Sequence, residues 1–178
     1  MNRFNLAIIG LAAAAMASTP ASAALGVGAR APDFTTQGAL GGKPFAFRLG
    51  QALKKGPVVL YFFPKAFTKG CTLEAHAFSE ATDDFRKAGA QVIGMSGDDL
   101  PTLKRFSVEE CRNAFPVATA TPRTIRAYDV ALEGNPAMAN RTSYVIAPGG
   151  KIVAVHSDLD WSQHVARTLA AVKALKGK

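Results

Sequence analysis

The sequence predicts an α/β fold, and three stretches carry that prediction. Residues 58–63 are an unbroken apolar run, β-branched and aromatic, as in a central strand buried on both faces. From residue 72 to residue 88 the period changes. Glu74, Phe78, Ala81, Phe85 and Ala88 recur at spacings of three and four, which predicts a helix that Gly89 stops. Residues 91–96 are a second apolar run, and two such strands joined by a helix form a parallel crossover unit.

The other elements follow in order. Residues 28–34 read as an extended lead-in, and Gly41-Gly42-Lys43 as a turn. Phe45 and Phe47 alternate with Ala46 and Arg48, which predicts a short half-buried strand. Residues 51–55 fit a helical turn closed by Gly56-Pro57. Asp98-Asp99 can cap the next helix, with Pro101 in its first turn, and that helix is expected to run to Cys111 or Arg112. A short strand is expected at 115–118, a helix opened by Thr121-Pro122 through about Tyr128, and a loop over 131–140. Strands at 143–146 and 152–156 flank Pro148-Gly149-Gly150-Lys151 and so form an antiparallel hairpin. Trp161, Val165, Leu169 and Val172 line one face of a last helix.

A chain of 178 residues suits one domain with a sizeable core. Its first 23 residues read as a secretory signal peptide. Arg3 supplies the basic start, Leu6 to Met16 the apolar region and Ala21-Ser22-Ala23 the cleavage site. The domain then spans 24–178, and the expected location is the periplasm or outside the cell. The apolar region is too short for a comfortable span, so no membrane span is expected in the mature form. The formal net charge of +8 is spread along the chain without interleaved aromatics, a solvated basic surface that points to no nucleic-acid partner. Two cysteines 40 positions apart make neither a C-x-x-C pair nor a zinc site of familiar spacing, and the three histidines show no ligand spacing. No metal or other cofactor is expected.

The chemistry concentrates where the first strand meets its helix. Pro64 ends the strand, Gly70 frees the backbone, and Cys71 stands at the helix start. Free backbone N–H groups and the helix dipole favour an anion there, and a thiolate is the nucleophilic form of cysteine. The string Pro64-x-x-x-Thr68-x-x-Cys71, within Phe63-Pro64-Lys65, Gly70-Cys71-Thr72 and Glu74-Ala75, resembles the active-site motif of the peroxiredoxins, in particular the Q-type (bacterioferritin comigratory protein) branch. The likeness runs from about Leu25 to the C-terminus. Many Q-type members carry a second cysteine five residues after the first, where this chain has His76.

The resemblance implies a thioredoxin-like fold, a central mixed sheet with flanking helices, and a thiol peroxidase acting on hydrogen peroxide and organic hydroperoxides. Cys71 would attack the peroxide, Thr68 would turn its hydroxyl to the same spot, and Pro64 would wall the sulfur from water. Arg141, just before the strand at 143–146, would supply the fixed cation. Glu74 reads either as a partner within the first helical turn or as an acid complementing the dipole. An external thiol, thioredoxin-like or small, would reduce the enzyme, which would be a monomer or a dimer. A thiol–disulfide oxidoreductase and a non-enzymatic redox sensor stand as alternatives on the same fold.

Cys111 is the available internal resolving thiol. Eleven residues at about 1.5 Å each would put it roughly 16 Å down its helix from the site, whereas a disulfide needs Cα atoms within about 7 Å. It is therefore either a resolving cysteine released by local unfolding or an inert thiol.

Overall fold

The apolar run at the centre becomes a strand with two working faces. In the computed structural model, which describes residues 24–176, this strand is β3, Val58–Phe62. Val58, Leu60 and Phe62 point into one apolar cluster, while Val59, Tyr61 and the following Phe63 point into another. On one flank β4 (Gln91–Ser96) pairs with it in parallel, and beyond lie β5 (Val117–Thr119), β1 (Thr35–Leu40) and β2 (Lys43–Arg48). On the other flank β8 (Thr142–Ile146) pairs antiparallel, followed by β9 (Ile152–Ser157). The seven strands described thus form one mixed sheet in the order β2-β1-β5-β4-β3-β8-β9.

Helices cover both faces. The crossover helix α2 (Lys69–Lys87) puts Phe78 and Phe85 on the second cluster, where Leu103 and Phe106 of α3 (Leu100–Glu109) and Val172 of α5 (His164–Lys176) join it. The first cluster is closed by α1 (Leu49–Leu53) and α4 (Pro122–Ala127). Asp99 caps α3 by accepting from the Thr102 N–H at 2.9 Å, and Thr121 caps α4 in the same way from Thr124.

Two expectations are corrected, and one strand is added where the sequence reading assigned no element. The stretch ahead of Gly41 contains a strand, β1, inserted between β2 and β5. Its Gly38 gives no apolar signal but is required: a Cβ there would meet the Val117 carbonyl oxygen at 2.8 Å and the Phe45 ring at 3.0 Å. The expected loop at 131–140 holds a small hairpin, β6 (Ala131–Leu132) with β7 (Asn135–Ala139), turned at Gly134 with φ +77°. The last helix is preceded by a 3-10 turn at Trp161–Gln163 and begins at His164. The leader assigned to 1–23 lies outside the described residues. Among the described residues no helix is long and apolar enough to cross a membrane.

Candidate active site

Helix α2 begins at Lys69, two residues before the cysteine at which the sequence reading opens it, so Cys71 lies in its first turn. The first backbone bond runs from the Thr72 N–H to the Thr68 carbonyl at 2.9 Å. The N–H groups of Lys69, Gly70 and Cys71 precede that ladder, and Thr68 offers them no side-chain cap. The positive end of the helix is thus left open beside the Cys71 sulfur, which is itself only 2% exposed.

The loop leading into α2 is pinned at Ala66. Its Ala66 N–H donates to Asp98 Oδ2 at 2.7 Å, and the same oxygen takes the Ser96 hydroxyl at 2.8 Å. Asp98 therefore holds this loop, while its neighbour Asp99 does the capping. Phe67 sits in the left-handed region with φ +63°, unusual for a bulky side chain. Its ring meets Phe106 edge-on at 5.3 Å, and the Arg105 guanidinium lies 5.0 Å above it. Pro64 is half-buried where the loop leaves the sheet. Thr68 donates its hydroxyl hydrogen to the Lys65 carbonyl at 2.9 Å, which leaves the oxygen's lone pairs as acceptors.

Arg141, the residue before β8, is 5% exposed and spends its guanidinium on three partners. Nε donates to the Leu159 carbonyl at 2.9 Å, Nη1 to Glu74 Oε2, and Nη2 to Cys71 Sγ at 3.5 Å. Burial opposes its charge, but Glu74 and Cys71 together outweigh burial and hold the guanidinium more firmly protonated than usual. Gly70 makes room for this approach, since a Cβ there would stand 3.1 Å from Arg141 Nη2.

Glu74 follows Cys71 by one helical turn and is fully buried. Burial pushes its carboxyl up to about 8, against the downward pull of Arg141. Its Oε1 has no hydrogen-bond partner and lies 3.7 Å from Nδ1 of His164. His164, also fully buried, has Nε2 3.0 Å from the Asp158 carbonyl and Nδ1 2.8 Å from the Ser143 hydroxyl. The sequence reading left Glu74 between two roles and passed over His164 and Ser143. The one-turn spacing from Cys71 was a signal for Glu74, whereas His164 lies far along the chain with no motif around it.

Burial also holds His164 neutral, lowering its value from 6.5 to about 4. The unfolded chain then binds one more proton than the folded one between those values. This contribution to stability is present above about 6.5 and is lost as pH falls towards 4, by about 3 kcal/mol for a shift of this size. Urea unfolding at pH 7 and pH 4.5 measures it. The loss on acidification is expected to be smaller in His164→Asn, and equal losses in the two proteins would refute the assignment.

Cys111 does not join the site, though it shares the apolar cluster with Cys71. It is fully buried, and burial, with the Glu110 carboxylate second, pushes its thiol well above the ordinary range. Helix α3 packs alongside α2: Phe106 touches Phe67 near the site, Glu110 bonds His76 at 2.8 Å, and Arg112 bonds Glu80 at 3.2 Å. His76 and Glu80 are five and nine residues beyond Cys71, about 7.5 and 13.5 Å of rise along α2, so the Cys111 turn lies well down that helix from Cys71.

With this geometry in place, comparison with known proteins places the chain. The model of the AhpC/TSA family matches residues 27–155. The chain is similar to the chloroplastic peroxiredoxin Q of Arabidopsis thaliana, 34% identical over 150 residues covering 83% of this chain and 67% of that protein. It is also similar to peroxiredoxin Bcp of Xanthomonas campestris, 32% identical over 123 residues covering 66% of this chain and 76% of the relative. Among solved structures, peroxidoxin BcpB of Mycobacterium tuberculosis superposes with a TM-score of 0.73 at 29% identity, over 84% of this chain and 97% of that one.

Proposed function

Since the chain belongs to the AhpC/TSA family, and its fold and relatives make it a thiol-dependent peroxidase of the peroxiredoxin kind, we propose that Cys71 is the attacking residue, with Arg141, Thr68 and Pro64 forming its site. The observation that carries this reading is the Arg141 Nη2 contact to Cys71 Sγ, 3.5 Å, at an uncapped helix start.

The reaction follows from the donors present. The Cys71 thiolate attacks the peroxide oxygen that bears hydrogen. A lone pair of sulfur forms the S–O bond, the O–O bond breaks, and its electron pair leaves on the distal oxygen. That oxygen takes a proton and departs as water or an alcohol, and Cys71 is left as a sulfenic acid. The peroxide O–H can donate to the free lone pairs of Thr68. The open N–H groups of α2 and the Arg141 guanidinium face the charge that develops on the leaving oxygen. Pro64, with no N–H, keeps one side of the sulfur dry. Treating the reduced protein with peroxide should add one oxygen to its intact mass or remove two hydrogens, and a thiol should reverse either change. Repeated turnover with reductant distinguishes an enzyme from a sensor that reacts once.

The sulfenic acid then needs a thiol. Cys111 would condense with it, releasing water and forming a disulfide, once the turn that buries Cys111 opens. Both cysteines border the same apolar cluster, which supports this over direct attack by an external thiol. Peptide mapping after one equivalent of peroxide is expected to find a Cys71–Cys111 disulfide. A stable sulfenic or sulfinic acid at Cys71, with Cys111 still free, would make this a one-cysteine enzyme. A thioredoxin-like protein or a small thiol would complete the cycle.

The signal peptide reading adds a location, the periplasm or the exterior. N-terminal sequencing of the protein from its native source should begin at Ala24, and recovery of uncleaved chain from the cytoplasm would contradict export.

A further inference from the structure

Behind Arg141 lies a buried histidine whose tautomer the structure fixes. Nε2 of His164 faces the Asp158 carbonyl at 3.0 Å, and a carbonyl only accepts, so the ring hydrogen is on Nε2. Nδ1 is therefore bare and accepts the Ser143 hydroxyl at 2.8 Å. The same bare nitrogen is turned towards Glu74 Oε1, 3.7 Å away, the one carboxylate oxygen that has no donor. Nδ1 gives its single lone pair to the Ser143 hydroxyl and has no hydrogen to offer, so with Glu74 ionised two electronegative atoms stand 3.7 Å apart with no donor between them. A proton on Oε1 removes that repulsion.

The charge count around Cys71 points the same way. One buried cation, Arg141, bridges two groups able to be anions, Cys71 and Glu74. If both are ionised, the buried cluster carries an uncompensated negative charge. If Glu74 is neutral, the guanidinium and the thiolate balance.

We propose that His164 is a positioning residue for the reaction at Cys71: its bare Nδ1, facing Glu74, favours the neutral acid and so leaves the charge of Arg141 to the sulfur and the peroxide. This rests on the reading of Cys71 as the attacking group. The other titratable groups around Glu74 do not supply the missing donor. The Tyr61 hydroxyl, from β3, is buried and itself unpartnered. The His156 ring of β9 lies tilted against His164, centroids 4.5 Å apart, and it is Arg167 that acts on His156. The Asp158 side chain is turned to the Asp160 N–H.

The test is the pH dependence of the peroxide reaction in pre-reduced full-length protein, with hydrogen peroxide as the probe. In the wild type the second-order rate should fall several-fold as pH rises through about 8, where Glu74 ionises and competes for Arg141. In His164→Gln an amide N–H replaces the bare nitrogen and favours the carboxylate, so the fall should come at least about one pH unit lower. In Glu74→Gln the fall should be absent. A wild-type rate with no such fall, the same fall in His164→Gln, or its survival in Glu74→Gln would each overturn the proposal. If His164→Gln does not fold, infrared spectra of wild type and Glu74→Gln at pH 7 decide. A protonated-carboxyl C=O band lost in Glu74→Gln supports the proposal, and no such band in the wild type overturns it. A wild type inert to peroxide at every pH would defeat the assignment of Cys71 instead, and the infrared result would still report on Glu74.

Discussion

Cys71→Ser is expected to reduce peroxide consumption to the uncatalysed background while leaving the fold in place. A serine hydroxyl at this position is of similar size, but it is not ionised at neutral pH and has no polarisable sulfur to attack an O–O bond. The open helix start and Arg141 act on an anion, and the variant has none to offer them. The structural cost is small, about 1 kcal/mol, because the replacement is nearly isosteric and its hydroxyl faces the Arg141 guanidinium. Circular dichroism and thermal unfolding should therefore match the wild type closely. Turnover equal to wild type would remove Cys71 from the chemistry, and a collapsed fold would show that the sulfur is chiefly a core atom.

Arg141→Ala should slow the peroxide step by about 10²–10³-fold, the scale of losing one aimed charge from an anion-stabilising site. It should also cost about 3 kcal/mol of stability, because three charge-assisted contacts disappear from a buried place. Arg141→Lys should recover little of either. A lysine has one nitrogen, and the three partners of Arg141 are approached by three different nitrogens of a planar fork. Stopped-flow oxidation at a temperature where each variant is fully folded separates the rate effect from the stability effect. A peroxide rate within about threefold of wild type in the folded alanine variant would leave Arg141 a purely structural residue.

The parts of this molecule that could be read in advance share a physical cause. Strand β3, helix α2 and strand β4 were legible because burial on both faces or on one face writes its period directly into the residues. Caps at Asp99 and Thr121 were legible because they are local, settled within three residues. Strand β1 was not, since it is polar, and its Gly38 reads as a breaker until Phe45 and Val117 are seen pressing on it. At the site, the loop from Pro64 to Cys71 lies within one stretch, while Arg141 was named through family resemblance and confirmed as a neighbour by the antiparallel pairing of β8 with β3. His164 reaches the same place from the far end of the chain, and nothing local in its surroundings announces that.

The turn after α3 has an unusual construction whose consequence concerns motion. Arg112 and Asn113 are both left-handed, with φ +51° and +58°, and neither is glycine. The turn is tied to α2 by His76–Glu110 at 2.8 Å, Arg112–Glu80 at 3.2 Å and Arg86 to the Ala114 carbonyl at 3.3 Å. These ties lie at or near the surface, where each is worth roughly 1 kcal/mol or less. The strands beneath are held by continuous ladders. The turn is therefore expected to open before the sheet does, at a free energy below that of global unfolding. In native-state hydrogen exchange its amides should form an early-exchanging group, distinct from those of β3 and β4. The rate at which Cys111 becomes visible to solvent would then be a property of three surface ties and two strained residues, adjustable by substitutions that never touch the sulfur of Cys71.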